Sequence, residues 1–274
     1  RESGDLVTEV PLSELHPFVN HPFEVRDEED MQKLVDSIKE NGVLTNLTVR
    51  PRAEGGYEII SGHRRFHAAQ LAGLDKIKVQ VRNVDDDQAI IDMVDANIQR
   101  EHISPMEKAR ALKMKNEAMK RSAGRRKGNG CQLDTHFPEA KTATQIGADV
   151  GESPKQIFRY IRLNELIPEL QKKVDSNTLK FNPAVELSYL TPDEQQSFLD
   201  YAEAQDCTPS LSQAQKLKAA SKEGTLTPDK LEEIKVAQYF PTGCTKQQME
   251  NRILKILESY FRQMAHEQAH EEER

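Results

Sequence analysis

Between Tyr57 and Gly73 the chain reads Tyr-Glu-Ile-Ile-Ser-Gly-His-Arg-Arg-Phe-His-Ala-Ala-Gln-Leu-Ala-Gly. Tyr57 to Ile60 is a short β-forming run entered through Gly55-Gly56, and Ser61-Gly62 breaks it. From His63 onward the spacing of Phe66, Ala69, Gln70 and Gly73 is helical. Arg64 and Arg65 therefore fall in the first turn of a helix, whose N-terminus is already electropositive. Cations are unfavourable there unless an anion sits on them. Backbone N–H groups, a glycine that permits close approach and two guanidiniums together describe a phosphate cradle. The competing reading pairs the arginines with an acidic neighbour such as Glu58.

A second constellation runs from Thr142 to Leu163. Ile146 and Val150 are core positions of a first helix, Gly151 is the turn, Ser153 caps and Pro154 starts a second helix, and Ile157 and Ile161 face inward. Lys155, Gln156, Arg159, Tyr160 and Arg162 are left to project outward, with Thr144, Gln145 and Ser153 beside them. Such a helix-turn-helix has the chemistry of a DNA reader. An ordinary helical hairpin is the competing reading.

The whole chain sets bounds on both. It has 274 residues, 36% hydrophobic and 30% charged, with no Trp, which fits two or more helical modules with modest cores. Its net charge of −7 is unevenly spread. Residues 1–100 hold 12 basic and 19 acidic residues, 101–180 hold 16 and 10, and 181–274 hold 10 and 16. A basic middle in an acidic protein is consistent with a nucleic-acid contact confined to that middle. Cys131, Cys207 and Cys244 are scattered and form no Cys-x-x-Cys pair, as expected of reduced thiols in a cytosolic protein. The histidines show no ligand spacing, so no zinc site is expected. No apolar run approaches membrane-spanning length and nothing near Arg1 resembles a signal peptide. Position 1 is not Met, so a preceding segment is expected.

The elements that must position these residues follow in order. Leu6 to Leu15 holds an edge-like strand stopped at Pro11. His16-Pro-Phe and His21-Pro-Phe form an extended loop whose histidines serve turn chemistry only. Asp27 to Asn41 is a helix with Met31, Leu34, Val35 and Ile38 on one face and Gly42 as its stop. Val43 to Pro51 and Ile77 to Val81 are strands, and Gln88 to Glu101 a helix. Ser104 and Glu107 form a capping box opening a basic helix over 104–121, followed by a mobile basic linker near 122–141. Short helices occupy Leu166 to Ala220. Lys235 to Pro241 reads as a strand, and Thr245 to Gln268 carries an apolar stripe suited to self-association.

Four segments in order carry a family resemblance: Gly42-Val-Leu-Thr-Asn-Leu-Thr-Val-Arg-Pro51, Ser61-Gly-His-Arg-Arg65, Asn97-Ile-Gln-Arg-Glu101 and Ser104-Pro-Met-Glu-Lys-Ala109. Together they resemble the ParB/Noc/KorB group of chromosome- and plasmid-partition proteins over roughly residues 5–215. The resemblance implies an α+β nucleotide-binding domain over 1–103 and an all-α DNA-binding domain over 104–222, with its helix-turn-helix at 142–163. A small C-terminal helical or β-α module over 223–274 would dimerise. It implies CTP held by Gly62, Arg64, Arg65, Asn97 and Arg100, with Ser61, His63 and Glu101 alongside. Thr45 and Asn46 lie by the base, and Arg26 stands in for the arginine of the family's Gln-Pro-Arg loop. Asn97 would also meet Mg²⁺.

The implied function is a CTP-gated, site-specific DNA-binding protein. It would act as a centromere-binding partition clamp for a plasmid, chromosome or mobile element. The alternative is a transcriptional repressor on the same scaffold with vestigial nucleotide binding. The partners implied are double-stranded DNA with a palindromic site, a second copy of the chain and a ParA-type ATPase. The implied location is cytoplasmic, on the nucleoid or a plasmid. Two departures bear on catalysis. The family carries Glu where this chain has His63 and Ala96, so any CTPase activity is expected to be weak. The family's sulfiredoxin-like relatives need a cysteine that Ser61-Gly62-His63-Arg64 lacks, and no clustered carboxylates support a two-metal nuclease.

Overall fold

The computed structural model describes residues 6–23, 29–100, 103–126, 138–205 and 207–227, with positions 231, 234, 247 and 251. Arg26, Glu101, most of the expected linker, and the 235–241 strand and 245–268 helix lie outside the described residues, apart from single positions in the last. The chain divides into two compact units, Arg1–Glu165 and Leu166–Arg274. The basic helix and the helix-turn-helix thus group with the sheet, where the sequence placed a boundary at 103/104.

In the first unit β1 (Leu6–Pro11), β2 (Leu15–His16), β3 (Leu47–Pro51), β4 (Tyr57–Ser61) and β5 (Lys76–Val81) form one sheet, ordered β1-β5-β3-β4-β2. β1 is an edge strand, as its terminal Pro11 allows. Successive residues of β4 serve opposite faces. Ile59 joins a core with Val10, Leu47, Val49, Phe66 and Val79, while Ile60 joins another with Phe18, Phe23, Met93, Leu112, Ile146 and Ile157. Helices α1 (Glu29–Asn41) and α2 (His63–Leu71) pack together through Met31, Val35, Ile38 and Ala68.

Helices α3 (Asp86–Asp95), α4 (Pro105–Arg126), α5 (Pro138–Val150) and α6 (Pro154–Arg162) build outward from the Ile60 side. α4 opens on the expected capping box: Ser104 N–H donates to Glu107 Oε2 at 2.9 Å, and Glu107 N–H to Ser104 Oγ at 3.2 Å. It continues to Arg126, so the segment expected as linker from 122 is helical at its start. α3 starts at Asp86, where Asp85 caps Gln88 N–H at 2.8 Å, and ends at Asp95 rather than at Glu101.

The second unit holds α7 (Pro168–Asp175), α8 (Phe181–Leu187), α9 (Pro192–Ala204) and α10 (Leu211–Lys222). Proline or a capping Thr191 or Ser210 opens α7, α9 and α10, as their sequences indicate. Gln195, only 1% exposed, accepts from Ile167 N–H at 2.8 Å and donates to Leu190 O at 3.0 Å. No described helix is long and apolar enough to cross a membrane.

Candidate functional site

The turn from β4 into α2 is built around Gly62. Its φ of +105° lies in the left-handed region, and a Cβ there would stand 2.8 Å from Leu47 Cγ and 3.3 Å from Arg65 Nη2. Glycine is therefore required twice, for backbone and for space. No side chain caps the α2 N-terminus and no acid lies in its first turn. The helix presents its positive end beside two guanidiniums.

Arg65 folds back. Its Nη1 donates to the carbonyls of Thr45 and Asn46 at 2.5 and 2.9 Å, binding the loop after Gly42 to α2. Burial holds its pKa below the usual arginine value. Arg100, which follows α3, lies over the Phe23 ring at 5.9 Å. Burial, then Arg64, depresses its pKa; Glu107 opposes this and Arg65 adds to it. Arg64, Arg65 and Arg100 thus share one electropositive locality.

Glu58 does not neutralise it. Its Oε1 accepts from Val19 N–H at 3.2 Å, and its Oε2 is held by Arg50 at 2.6 Å. Glu58 is therefore not the acidic neighbour that pairs with these arginines. Arg64 has no acidic partner among the described residues. A half-buried cluster of three guanidiniums at an uncapped helix N-terminus is arranged for a multiply charged anion.

His63 is placed otherwise than its position in the motif suggests. It is buried, its Nε2 accepts from Phe18 N–H at 3.2 Å, and its ring lies 3.9 Å from that of His21. Burial, His21 and Arg100 push its pKa down to about 3. It is a neutral acceptor that pins the 17–23 loop. His21, expected to serve turn chemistry only, does donate from Nδ1 to Phe23 O at 2.7 Å, and its ring also packs against that of His63 at a tilt of 44°. The expectation missed this ring contact and the burial of Phe18 and Phe23, because only tertiary contact reveals them.

Asn97 is 2% exposed and donates from Nδ2 to Met93 O at 2.6 Å, ending α3. Among the described residues no three metal-ligating side chains cluster. A Mg²⁺ carried on a polyphosphate takes phosphate and water oxygens, so one protein oxygen suffices. Ala96 is exposed at the end of α3. Ser61 is half-buried at the end of β4, Thr45 is exposed and Asn46 is half-buried.

The helix-turn-helix stands on equally specific contacts. Glu152 N–H donates to Gly147 O at 2.9 Å, and a Cβ on Gly147 would lie 2.4 Å from Glu152 O. Gly151 has φ +72°, and Ser153 Oγ accepts from Gln156 N–H. Ile146 and Ile157 are fully buried. Thr144, Gln145, Ser153 and Lys155 are exposed, Gln156 and Arg159 are half-buried and joined at 3.0 Å. Tyr160 departs from expectation. It lies about 60° round the helix from Ile157, packs against the Ile60 core, and takes Lys108 Nζ at 4.6 Å over its ring. Arg162 is half-buried rather than freely projecting.

Several of the described basic side chains of α4 are engaged internally. Lys115, 1% exposed, holds Asp95 at 2.6 Å and Asp149 at 2.7 Å. Lys108 pairs with Glu152 at 2.8 Å and Arg121 with the buried Asp87 at 2.7 Å.

Comparison with known proteins gives concordant results. The ParB N-terminal domain model matches residues 1–98. The chromosome-partitioning protein Spo0J of Thermus thermophilus is 29% identical over 193 residues, covering 70% of this chain and 64% of that protein. A probable chromosome-partitioning protein ParB of Neisseria meningitidis is 38% identical over 193 residues, covering 70% of this chain and 60% of that protein. The chain spans about three fifths of the length of these relatives. Among solved structures a pNOB8-like ParB N-domain superposes with a TM-score of 0.51 at 15% identity, over 92% of this chain and 96% of that one, a likeness of fold.

Proposed function

The chain belongs to the ParB family of chromosome-partitioning proteins, and from that premise we propose that it is a CTP-gated, site-specific DNA-binding protein acting as a partition clamp. The observation that carries the nucleotide half is the cluster of Arg64, Arg65 and Arg100 beside the uncapped N-terminus of α2, with Glu58 occupied elsewhere. The cluster binds the triphosphate. The loop that Arg65 anchors, Thr45 and Asn46, lines the base. Asn97 supplies an oxygen to the Mg²⁺ that screens the phosphates.

The DNA half is read by α5 and α6, through Thr144, Gln145, Ser153, Lys155, Gln156 and Arg159. CTP brings two copies together on a palindromic site, and a ParA-type ATPase is the expected motor. Turnover of the nucleotide is slow. His63 is buried, neutral and committed to Phe18 N–H, and Ala96 offers no carboxylate to orient water.

Calorimetry with CTP, ATP, GTP and UTP, with Mg²⁺ and with or without candidate palindromic DNA, tests this reading. It expects binding selective for CTP, and spreading of the DNA footprint beyond the site when CTP is present. Equal affinity for all four nucleotides, or none for CTP, overturns the gate.

A further inference from the structure

α6 is the most sharply amphipathic of the described helices, and one residue breaks its pattern. Ile157 and Ile161 face the core, yet Phe158, about 100° further round from Ile157, is 38% exposed. Lys155, Phe158 and Arg162 follow one another at spacings of three and four, so they form one strip along the helix. An aromatic ring between two cations is a poor protein-docking patch, because its neighbours on the strip are charged and it stands alone. It suits a surface laid against nucleic acid, where the cations meet phosphates and the ring meets what lies between them.

A phenyl group neither donates nor accepts a hydrogen bond. Of the features that bases present in the major groove, the one it complements is the thymine C5-methyl group. We propose that Phe158 reads a thymine methyl in each half of the DNA site, a specificity contact that rests on the DNA-reading role of α6. Lys155 sets the register of the strip, and Arg159, about 40° round the helix from Lys155, supplies polar readout beside it.

Sites would be selected from random duplexes with the full chain, and each thymine of the selected half-site replaced in turn by deoxyuridine, which removes the methyl alone. The wild-type chain is expected to bind about fourfold more weakly at one position per half-site, the worth of one buried methyl. In Phe158→Ala that loss shrinks to less than about twofold, and Phe158→Leu keeps part of it. The deoxyuridine scan of the wild type needs no variant, so misfolding of either substitution leaves the test intact. No effect at any thymine, or an undiminished effect in Phe158→Ala, overturns the proposal and leaves DNA recognition by α5 and α6 standing. Selection that enriches no sequence with the wild type overturns that recognition, and this contact with it.

Discussion

Arg64 and Lys115 are both cations drawn away from solvent, and the sequence around each is comparably basic. Lys115 lies between Asp95 and Asp149, at 2.6 and 2.7 Å, and joins α3, α4 and α5. Arg64 lies beside Arg65 and Arg100 and has no acidic partner among the described residues, and Glu58 is committed to Arg50 and Val19. One site is complete without a ligand. The other concentrates like charge at a helix N-terminus, an arrangement that a bound anion would relieve. Counting basic residues therefore does not locate a binding site, because some of them are engaged within the fold. The basic middle of the chain illustrates the same point, since Lys108, Lys115 and Arg121 are engaged in holding the fold.

The comparison breaks most sharply at Lys115. Lys115→Met removes the charge that joins two carboxylates, each of which retains 45% of its side-chain exposure. Removing one partner of a buried pair costs about 3 kcal/mol, toward the lower end of the range because the carboxylates can re-solvate. Urea unfolding should show this loss without nucleotide present. Arg64→Ala should do the opposite in the free protein, leaving its stability unchanged or raised by about 0.5 kcal/mol as repulsion is relieved. Its CTP affinity should fall by about 1.5–3 kcal/mol, the worth of charge-assisted hydrogen bonds. Loss of stability in Arg64→Ala comparable to Lys115→Met would mean that Arg64 is structural too.

A third test uses pH. His63 has a folded pKa of about 3 against an ordinary 6.5, so the unfolded chain binds its proton first. Stability contributed by the neutral ring is present above pH 6.5 and is lost as pH falls from 6.5 toward 3. His21, also lowered by burial, acts in the same direction. His63→Gln keeps an acceptor for Phe18 N–H and removes the titration. Its unfolding free energy should be flatter than the wild type's by about 1 kcal/mol per pH unit below pH 6. Parallel curves would show that His63 is not held neutral.

What was legible in the sequence was local. Gly62 with Arg64 and Arg65, the Ser104–Glu107 box, and Gly151 with Ser153 all lie within a few residues of what they control, and each is where its pattern placed it. What was missed depends on distant partners. β3 starts at Leu47 instead of Val43, and Arg65, some twenty positions away, takes the Thr45 and Asn46 carbonyls. α3 ends early where the Asn97 side chain takes Met93 O. α4 runs through Gly124 because the lysines and arginines around it are good helix formers, which offset a cost of about 1 kcal/mol. The partners of Lys115 lie 20 and 34 positions away, so nothing near it announced its burial. Of the candidate site, the turn that holds Gly62, Arg64 and Arg65 could be read. The inward turn of His63 could not, because it depends on Phe18 and His21.

The smallest effect sharpens the comparison within a single side chain. Arg50 holds Glu58 at 2.6 Å and Asp86 at 2.7 Å, so distance alone would rank the two partners equal. Their surroundings differ: the Glu58 side chain is 8% exposed and that of Asp86 is 82% exposed. Asp86→Asn keeps a hydrogen-bonding side chain in solvent and should cost about 0.5 kcal/mol or less, part of it from the first turn of α3. Glu58→Gln leaves the Arg50 charge, 15% exposed, without its buried counter-ion and should cost about 2 kcal/mol. Salt separates the two further. The Asp86 contribution should disappear near 1 M salt, where screening acts within about 3 Å, while most of the Glu58 contribution persists. Equal losses, equally screened, would show that the burial of Glu58 does nothing for its pairing, and that its commitment to Arg50 does not keep it from Arg64. If Glu58 could be released so cheaply, it would be free to turn toward the arginines of α2.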